Sequence, residues 1–282
     1  MSELFAEEQM NGHHSRYPAE RELGKEDTPF QALRLLETQQ YGKMLMLDGI
    51  VQTTERDEFI YHEMMTHVPM FTHTGPRSVL IIGGGDGGIL REVLRHETVT
   101  DAVMVEIDER VVEFSRKYLP TISDGAFDDE RTDLVIADGA EYVRNSGRTF
   151  DVVIVDSPDP IGPAEVLFSQ EFYRDVKSVM NPDGILVRQT GSTFLQPDEQ
   201  KHAWQVLSNV FATNAMYVYA VPTYVGGFFS TVLSTDRNKP VEPDEQALSK
   251  RFAALQGTTQ YYNPGVHVGA FNLPEYVKGN LK

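Results

Sequence analysis

The residues best suited to chemistry in this chain are carboxylates in unusual places. Asp156 and Asp159 open a segment running to Glu165 that carries prolines at 158, 160 and 163. Proline fixes φ, so such a turn presents its acids stiffly. Two carboxylates held this way can bind a diamine and take a proton from its attacking nitrogen. That proton must go, because an alkylammonium with a pKa of ~10 has no lone pair to attack with. In a plain proline turn the same acids would only cap backbone amides.

A second acid, Asp86, sits inside the glycine run Gly83 to Gly88. Glycines there let the backbone approach a ligand closely. A carboxylate in the turn repels a pyrophosphate and welcomes an amine or a sulfonium. Glu106 and Asp108 follow, and from Gly85 to Glu106 is the ~20 residues that place an acid on a ribose. An adenosyl sulfonium ligand meets all of these conditions. It would leave as a neutral thioether, so no general acid is required, and the reaction would rest on positioning and electrostatics.

These acids need a scaffold, and the flanking residues supply one. Val79 to Ile82 is a continuous apolar run, as in a strand buried on both faces. Ile89, Leu90, Val93 and Leu94 then share one helical face, and Ala102 to Ile107 is a second buried strand. This is the first βαβ unit of a nucleotide-binding sheet. Leu134 to Ala137 runs into Asp138-Gly139 and Val152 to Val155 into Asp156, so acids recur at strand ends, along the edge where such sheets bind ligands. Asp138 is placed to meet an adenine amino group or simply to make an Asp-Gly turn. Further elements are expected at Val111 to Tyr118 (helix), Ser169 to Met180 (helix), Gly184 to Gln189 (strand), Pro197 to Phe211 (helix), and Met216 to Val221 with Phe229 to Leu233 (strand pair).

Upstream, Phe30 to Leu36 and Lys43 to Leu47 read as a hairpin around Gln39 to Gly42. Asp48-Gly49 turns into a strand at Ile50 to Thr54. Residues 1 to 27 are polar and read as a loosely ordered lead-in, with His13-His14 a surface pair. Asp57 to Phe71 is a helix with an apolar stripe. Its His62, Glu63 and His67 miss the HExxH zinc pattern, since Thr66 stands where the second histidine belongs, and no metal site is expected. The whole is α/β: a small antiparallel N-terminal β-module with its connecting helix over 1–75, then a Rossmann-like doubly wound catalytic domain, class I methyltransferase-like, over 76–282.

The formal charge is −17, from 25 Lys and Arg against 42 Asp and Glu. That argues against nucleic acid and anionic membranes and favours cationic partners. Cysteine is absent, which removes disulfide and thiol chemistry. With no signal-peptide pattern and no apolar run near the ~18 residues of a span, a cytoplasmic protein is expected.

Together, Gly83 to Gly88, Val105 to Asp108, Asp138-Gly139, Asp156 to Pro163, Pro222 to Tyr224, Tyr261 to Pro264 and the stretch Leu47 to Glu63 resemble the polyamine aminopropyltransferases, most closely the bacterial spermidine synthases. The resemblance runs from about residue 30 to 276. It implies transfer of the aminopropyl group of decarboxylated S-adenosylmethionine, a co-substrate rather than a resident cofactor, to putrescine, giving spermidine and 5'-methylthioadenosine. By resemblance Asp156 is the proton acceptor, and Tyr61, Asp159 and Tyr224 join it as diamine ligands. Glu106 holds the ribose, Asp138, Gly139 and Pro163 contact adenine, and Gln31, His62 and Asp86 lie near the aminopropyl arm or the polyamine. The resemblance also implies a homodimer or homotetramer through the N-terminal module. Cadaverine, agmatine or spermidine are alternative acceptors, and a methyltransferase or a non-catalytic nucleoside sensor are alternatives on the same fold. Pro158 stands where a small hydroxyl residue is expected, the family's Trp-x-x-Glu start is missing (the one Trp is Trp204), and Arg188 is expected to point to solvent.

Overall fold

The computed structural model of the chain describes residues 3–8, 12–157, 166–237 and 244–282. Two sheets organise it. The first is antiparallel, in chain order β1 (Glu3–Glu8), β2 (His14–Asp27), β3 (Ala32–Thr38), β4 (Gly42–Leu47) and β5 (Ile50–Thr54). The expected hairpin is β3–β4, with Thr38 opposite Gly42, and Asp48 and Gly49 both take the positive φ that a tight turn before β5 needs.

The lead-in expected over residues 1–27 is overturned, because most of it is strand. β1 pairs with β2 from Glu3–Ala19 to Glu8–His14, and β2 with β3 down to Asp27–Ala32. On β2 only Tyr17 and Ala19 are buried. A strand so polar is made by the neighbours it hydrogen-bonds, and its own pattern barely announces it.

The helix α1 (Glu58–Thr72) bridges to the second sheet and is buried almost all round, from Ile60 to Phe71. Seven strands follow in the order β11-β12-β10-β9-β6-β7-β8. They are β6 (Ser78–Gly83), β7 (Asp101–Glu106), β8 (Thr132–Ile136), β9 (Phe150–Asp156), β10 (Met180–Ser192), β11 (Thr213–Ala220) and β12 (Phe228–Thr235). The run from β8 to β10 is parallel, and β12 enters antiparallel between β10 and β11. The connecting helices are α2 (Gly88–Leu94), α3 (Glu109–Tyr118), α4 (Pro120–Ser123), α5 (Gly139–Asn145), α6 (Gln170–Ser178) and α7 (Pro197–Ser208). The chain closes with α8 (Glu245–Phe252), α9 (Pro264–Ala270) and α10 (Glu275–Asn280). The parallel strands are apolar without alternation because helices cover both faces.

Strand order decides where a ligand can sit. From β6 the chain goes to β7 on one side, while β9 pairs on the other, so the loops after β6 and β9 part and leave a crevice. The first sheet closes one side of it: Leu33, Leu35 and Leu45 pack against Val111 and Phe114 of α3. Thr28 Oγ1 and Gln31 Nε2 both donate to Asp108 Oδ2, at 2.7 and 3.2 Å.

Candidate active site

The site is built from the ends of β6, β7 and β9. In the register Gly83 lies opposite Asp156, and the Gly84 N–H donates to the Asp156 carbonyl at 3.1 Å. Only glycine serves at 83: its φ is +86°, and an added Cβ would lie 2.0 Å from that carbonyl oxygen. The strand-to-turn junction of the glycine run is thereby locked to the strand carrying Asp156.

The crevice is a cavity of about 520 Å³. Its walls include Gln31, Tyr61, His62, Asp86, Glu106, Asp138, Gly139, Asp156 and Tyr224, so nine residues singled out from sequence meet in one space. Asp159 and Pro163, together with Pro158, lie outside the described residues.

Each acid is held differently. Tyr61 donates its hydroxyl to Asp156 Oδ1 at 2.6 Å. Burial, and then the nearby Asp86 charge, raise the Asp156 carboxyl to about 6, against the Tyr61 hydroxyl and His62, which favour its ionised form. Glu106 is pushed up to about 7, first by burial, with the Asp108 N–H opposing and the Asp108 and Asp156 charges adding to the push. Its Oε1 accepts that N–H at 3.0 Å. Its Oε2 faces Gly85, where a Cβ would come within 3.0 Å. Asp138 caps α5, accepting from the Glu141 N–H at 2.9 Å, and lines the cavity as well, so its two sequence readings are compatible.

Asp86 departs from the bare charge that the sequence suggested. Its Oδ1 accepts the Gly88 N–H at 2.8 Å, and its Oδ2 lies 3.2 Å from His62 Nε2. Burial works to raise its carboxyl, but His62 and the Gly88 N–H hold it below the usual range. Any discrimination at Asp86 therefore acts at contact distance, since its charge is matched by a neighbour.

The aromatic wall is equally braced. Tyr224 donates to the Gln52 carbonyl of β5 at 2.7 Å, and its ring meets Tyr61 and Phe229 at 5.4 and 5.0 Å. Asp57 binds the Thr223 N–H and hydroxyl at 2.9 and 2.7 Å, which fixes the segment leading to Tyr224.

Residues 58–243 match the spermine/spermidine synthase domain, and residues 4–55 the spermidine synthase tetramerisation domain. The chain belongs to the spermine/spermidine synthase family. It is 45% identical over 280 residues to the polyamine aminopropyltransferase of Erwinia tasmaniensis, covering 99% of this chain and 98% of that one. To the protein of the same name from Escherichia fergusonii it is 48% identical over 259 residues, covering 92% and 90%. A solved spermidine synthase in complex with the transition-state analogue AdoDATO superposes with a TM-score of 0.94 at 39% identity, over 99% of this chain and 94% of that one. The spermidine synthase from Thermotoga maritima gives 0.91 at 38%, over the same shares. As a member of this family the chain is an aminopropyltransferase.

Several features of this synthase-family site escaped sequence reading. Phe30, Gln52, Val166, Gln189 and Gln196 also line the cavity. A glutamine in a buried strand carries no signal of its own, although Gln189 closes the strand expected from Gly184 and lies inside β10. Arg188, expected in solvent, is 1% exposed: it pairs with Glu199 and lies 4.2 Å over the Phe168 ring. It lines no part of the cavity wall, and the aromatic face and carboxylate that shelter it come from distant segments. The Tyr261 to Pro264 motif is structural here. Glu63 accepts the N–H groups of Gln260, Tyr261 and Tyr262 at 2.6 to 2.9 Å, and Asn263 caps α9.

Among the described residues no group of three or more His, Asp or Glu is placed to hold a metal ion. None of the described helices is long and apolar enough to cross a membrane.

Proposed function

We propose that this chain transfers the aminopropyl group of decarboxylated S-adenosylmethionine to putrescine, with Asp156 as the general base. The observation that carries the reading is Asp156 itself: a carboxyl raised to about 6, bonded to Tyr61, in the same cavity as Glu106 and the Asp138-Gly139 turn. A base at that pKa is ionised at neutral pH yet accepts a proton more readily than an ordinary aspartate. Asp156 first takes a proton from the ammonium of the bound diamine, and the freed amine nitrogen attacks the aminopropyl carbon bound to sulfur. The C–S bond breaks with its electron pair going to sulfur, which leaves as the neutral thioether of methylthioadenosine. The new C–N bond makes the nitrogen a secondary ammonium, its ordinary state at neutral pH, and Asp156 returns the proton it took to solvent. Glu106 is the ribose ligand, Asp138 and Gly139 face the base, and Asp86 holds the amine of the co-substrate. Tyr61 and Tyr224 wall the diamine, and Asp159 joins them as a diamine ligand by family resemblance alone.

Tyr61, Tyr224 and Phe229 form an aromatic wall beside Asp156, and putrescine is assigned as the acceptor by family resemblance. We further propose a homo-oligomer assembled through the first sheet, on the strength of the tetramerisation-domain match. Mass spectrometry of products from decarboxylated S-adenosylmethionine and an equimolar mixture of putrescine, cadaverine, agmatine and spermidine tests the reaction and the acceptor together. Spermidine with stoichiometric methylthioadenosine is expected. Another aminopropylated amine would refute putrescine, and no product would refute the reaction.

A further inference from the structure

Glu58 lies in the first turn of α1, outside the cavity of the candidate site and directly behind His62. Its Oε2 is 2.6 Å from His62 Nδ1, and its two oxygens take the fork of Arg91 at 3.0 Å each. Arg91 is in turn pinned by the Ile122 carbonyl at 2.7 Å and by Glu92 at 2.8 Å. On the far side of the ring, His62 Nε2 meets Asp86. A neutral imidazole has a single N–H and would turn a lone pair toward one of these carboxylates, so only the imidazolium satisfies both. Space for the ring exists because position 88 is glycine: a Cβ there would stand 2.2 Å from ring atoms.

We propose that Glu58, backed by Arg91, is a positioning residue for the reaction, holding His62 as a fixed imidazolium beside Asp86 and thereby keeping Asp156 ionised when the amine arrives. This rests on the reading of Asp156 as base. The charged and titratable groups facing His62 are Glu58 and Tyr61 of its own helix, Asp86 of the glycine turn, Arg91 of α2 and Asp156 of β9. Burial opposes a charge on the ring, but Asp86 and Glu58 outweigh it and lift the imidazolium to about 10. Burial likewise works to raise Glu58, and His62 and Arg91 hold it below the usual carboxylate range. Asp156 feels the ring as a nearby cation that favours its ionised form. Without the Glu58 charge, burial dominates a ring with one carboxylate partner, and it gives up its proton at or below the pH at which Asp156 titrates. Asp86 and Asp156 then face each other with no cation between them, and Asp156 holds its proton to higher pH.

The isosteric Glu58→Gln variant is therefore expected to shift the acid limb of kcat/KM upward by about 1 pH unit, the effect of one close charge. Glu58→Asp, which keeps the charge, should leave the limb near that of the unaltered enzyme. An unmoved limb in Glu58→Gln, with or without a fall in kcat, would overturn the proposal. Nitrogen NMR of the unaltered enzyme gives a second readout that requires no folded variant. Both His62 ring nitrogens should carry protons from about pH 6 to 8, where a free imidazole titrates. A neutral single tautomer would overturn the proposal. Failure of aminopropyl transfer in the product assay would instead overturn the reading of Asp156, and the two failures are distinguishable because the NMR signal does not depend on turnover.

Discussion

Replacing Glu106 with glutamine should make the protein more stable and its nucleoside pocket worse, and the size of the first effect follows from the structure. Glu106 titrates at about 7 when folded and at 4.5 ordinarily. Between those values the folded chain holds a proton that the unfolded chain releases, so stability falls as pH rises through that window. The gap of about 2.5 pH units, at about 1.4 kcal/mol each, amounts to about 3 kcal/mol lost by pH 8. Glutamine never ionises. Glu106→Gln should thus match the unaltered protein near pH 4.5 and exceed it at pH 8 by up to about 3 kcal/mol, less whatever its amide forfeits facing Gly85. Urea unfolding at several pH values and one protein concentration reads this directly. Methylthioadenosine titrated into the same variant should bind about 10- to 100-fold more weakly, the usual cost of losing hydrogen bonds to a charged group. A stability difference that stays constant from pH 5 to pH 8 would refute the claim that burial of the Glu106 charge is costly.

Three other changes separate chemistry from scaffolding. Asp156→Asn should retain methylthioadenosine binding in calorimetry while turnover drops about 10²-fold or more; full turnover would remove Asp156 from its assigned role. Gly88→Ala ought to lower thermal stability by about 1–3 kcal/mol, even though alanine is the better helix former, because its methyl collides with the His62 ring. A neutral or stabilising result would mean that the ring moves aside freely. Glu63→Ala strands the buried Tyr262 N–H and the part-buried bonds of Gln260 and Tyr261, and should cost about 2 kcal/mol or more in unfolding experiments with little change in KM.

How much of this was legible in the sequence depends on where each residue's partners lie. The strands β6, β7 and β9 announced themselves because a parallel strand under helices must be apolar on both faces. The glycine turn did so because its acid lies within it. Glu63 and Glu58 could not be read in the same way. The former is satisfied by a segment near residue 260 and the latter by Arg91, so each passes for an ordinary charge on a helix. Arg188 misled for the same reason: Phe168 and Glu199 make its burial tolerable, and neither is a sequence neighbour. In β2 the failure was of a different kind. Tyr17 and Ala19 alone are buried, Leu23 is half-buried, and most of the remaining side chains are as polar as those of a loop. Its extended form is dictated by backbone pairing, with β1 over His14 to Ala19 and with β3 from Ala19 to Asp27, which composition does not encode. The resemblance to a known family placed Gln31, Tyr61 and Tyr224 in the site, where periodicity alone offered no reason to look.

The cavity has walls from both sheets: Leu45, Ile50 and Gln52 on one side, and the ends of β6, β7 and β9 on the other. A small molecule lodged there adds a cross-brace between two layers already joined by the apolar seam of Leu33, Leu35 and Leu45 against α3 and by clasps such as Tyr224 to Gln52 and Thr28 to Asp108. The N-terminal module therefore shapes the cavity, besides carrying the assembly proposed above. Exchanging it for a relative's would import part of the cavity lining, and attempts to retune the acceptor by editing the catalytic sheet alone would leave the opposite wall unchanged.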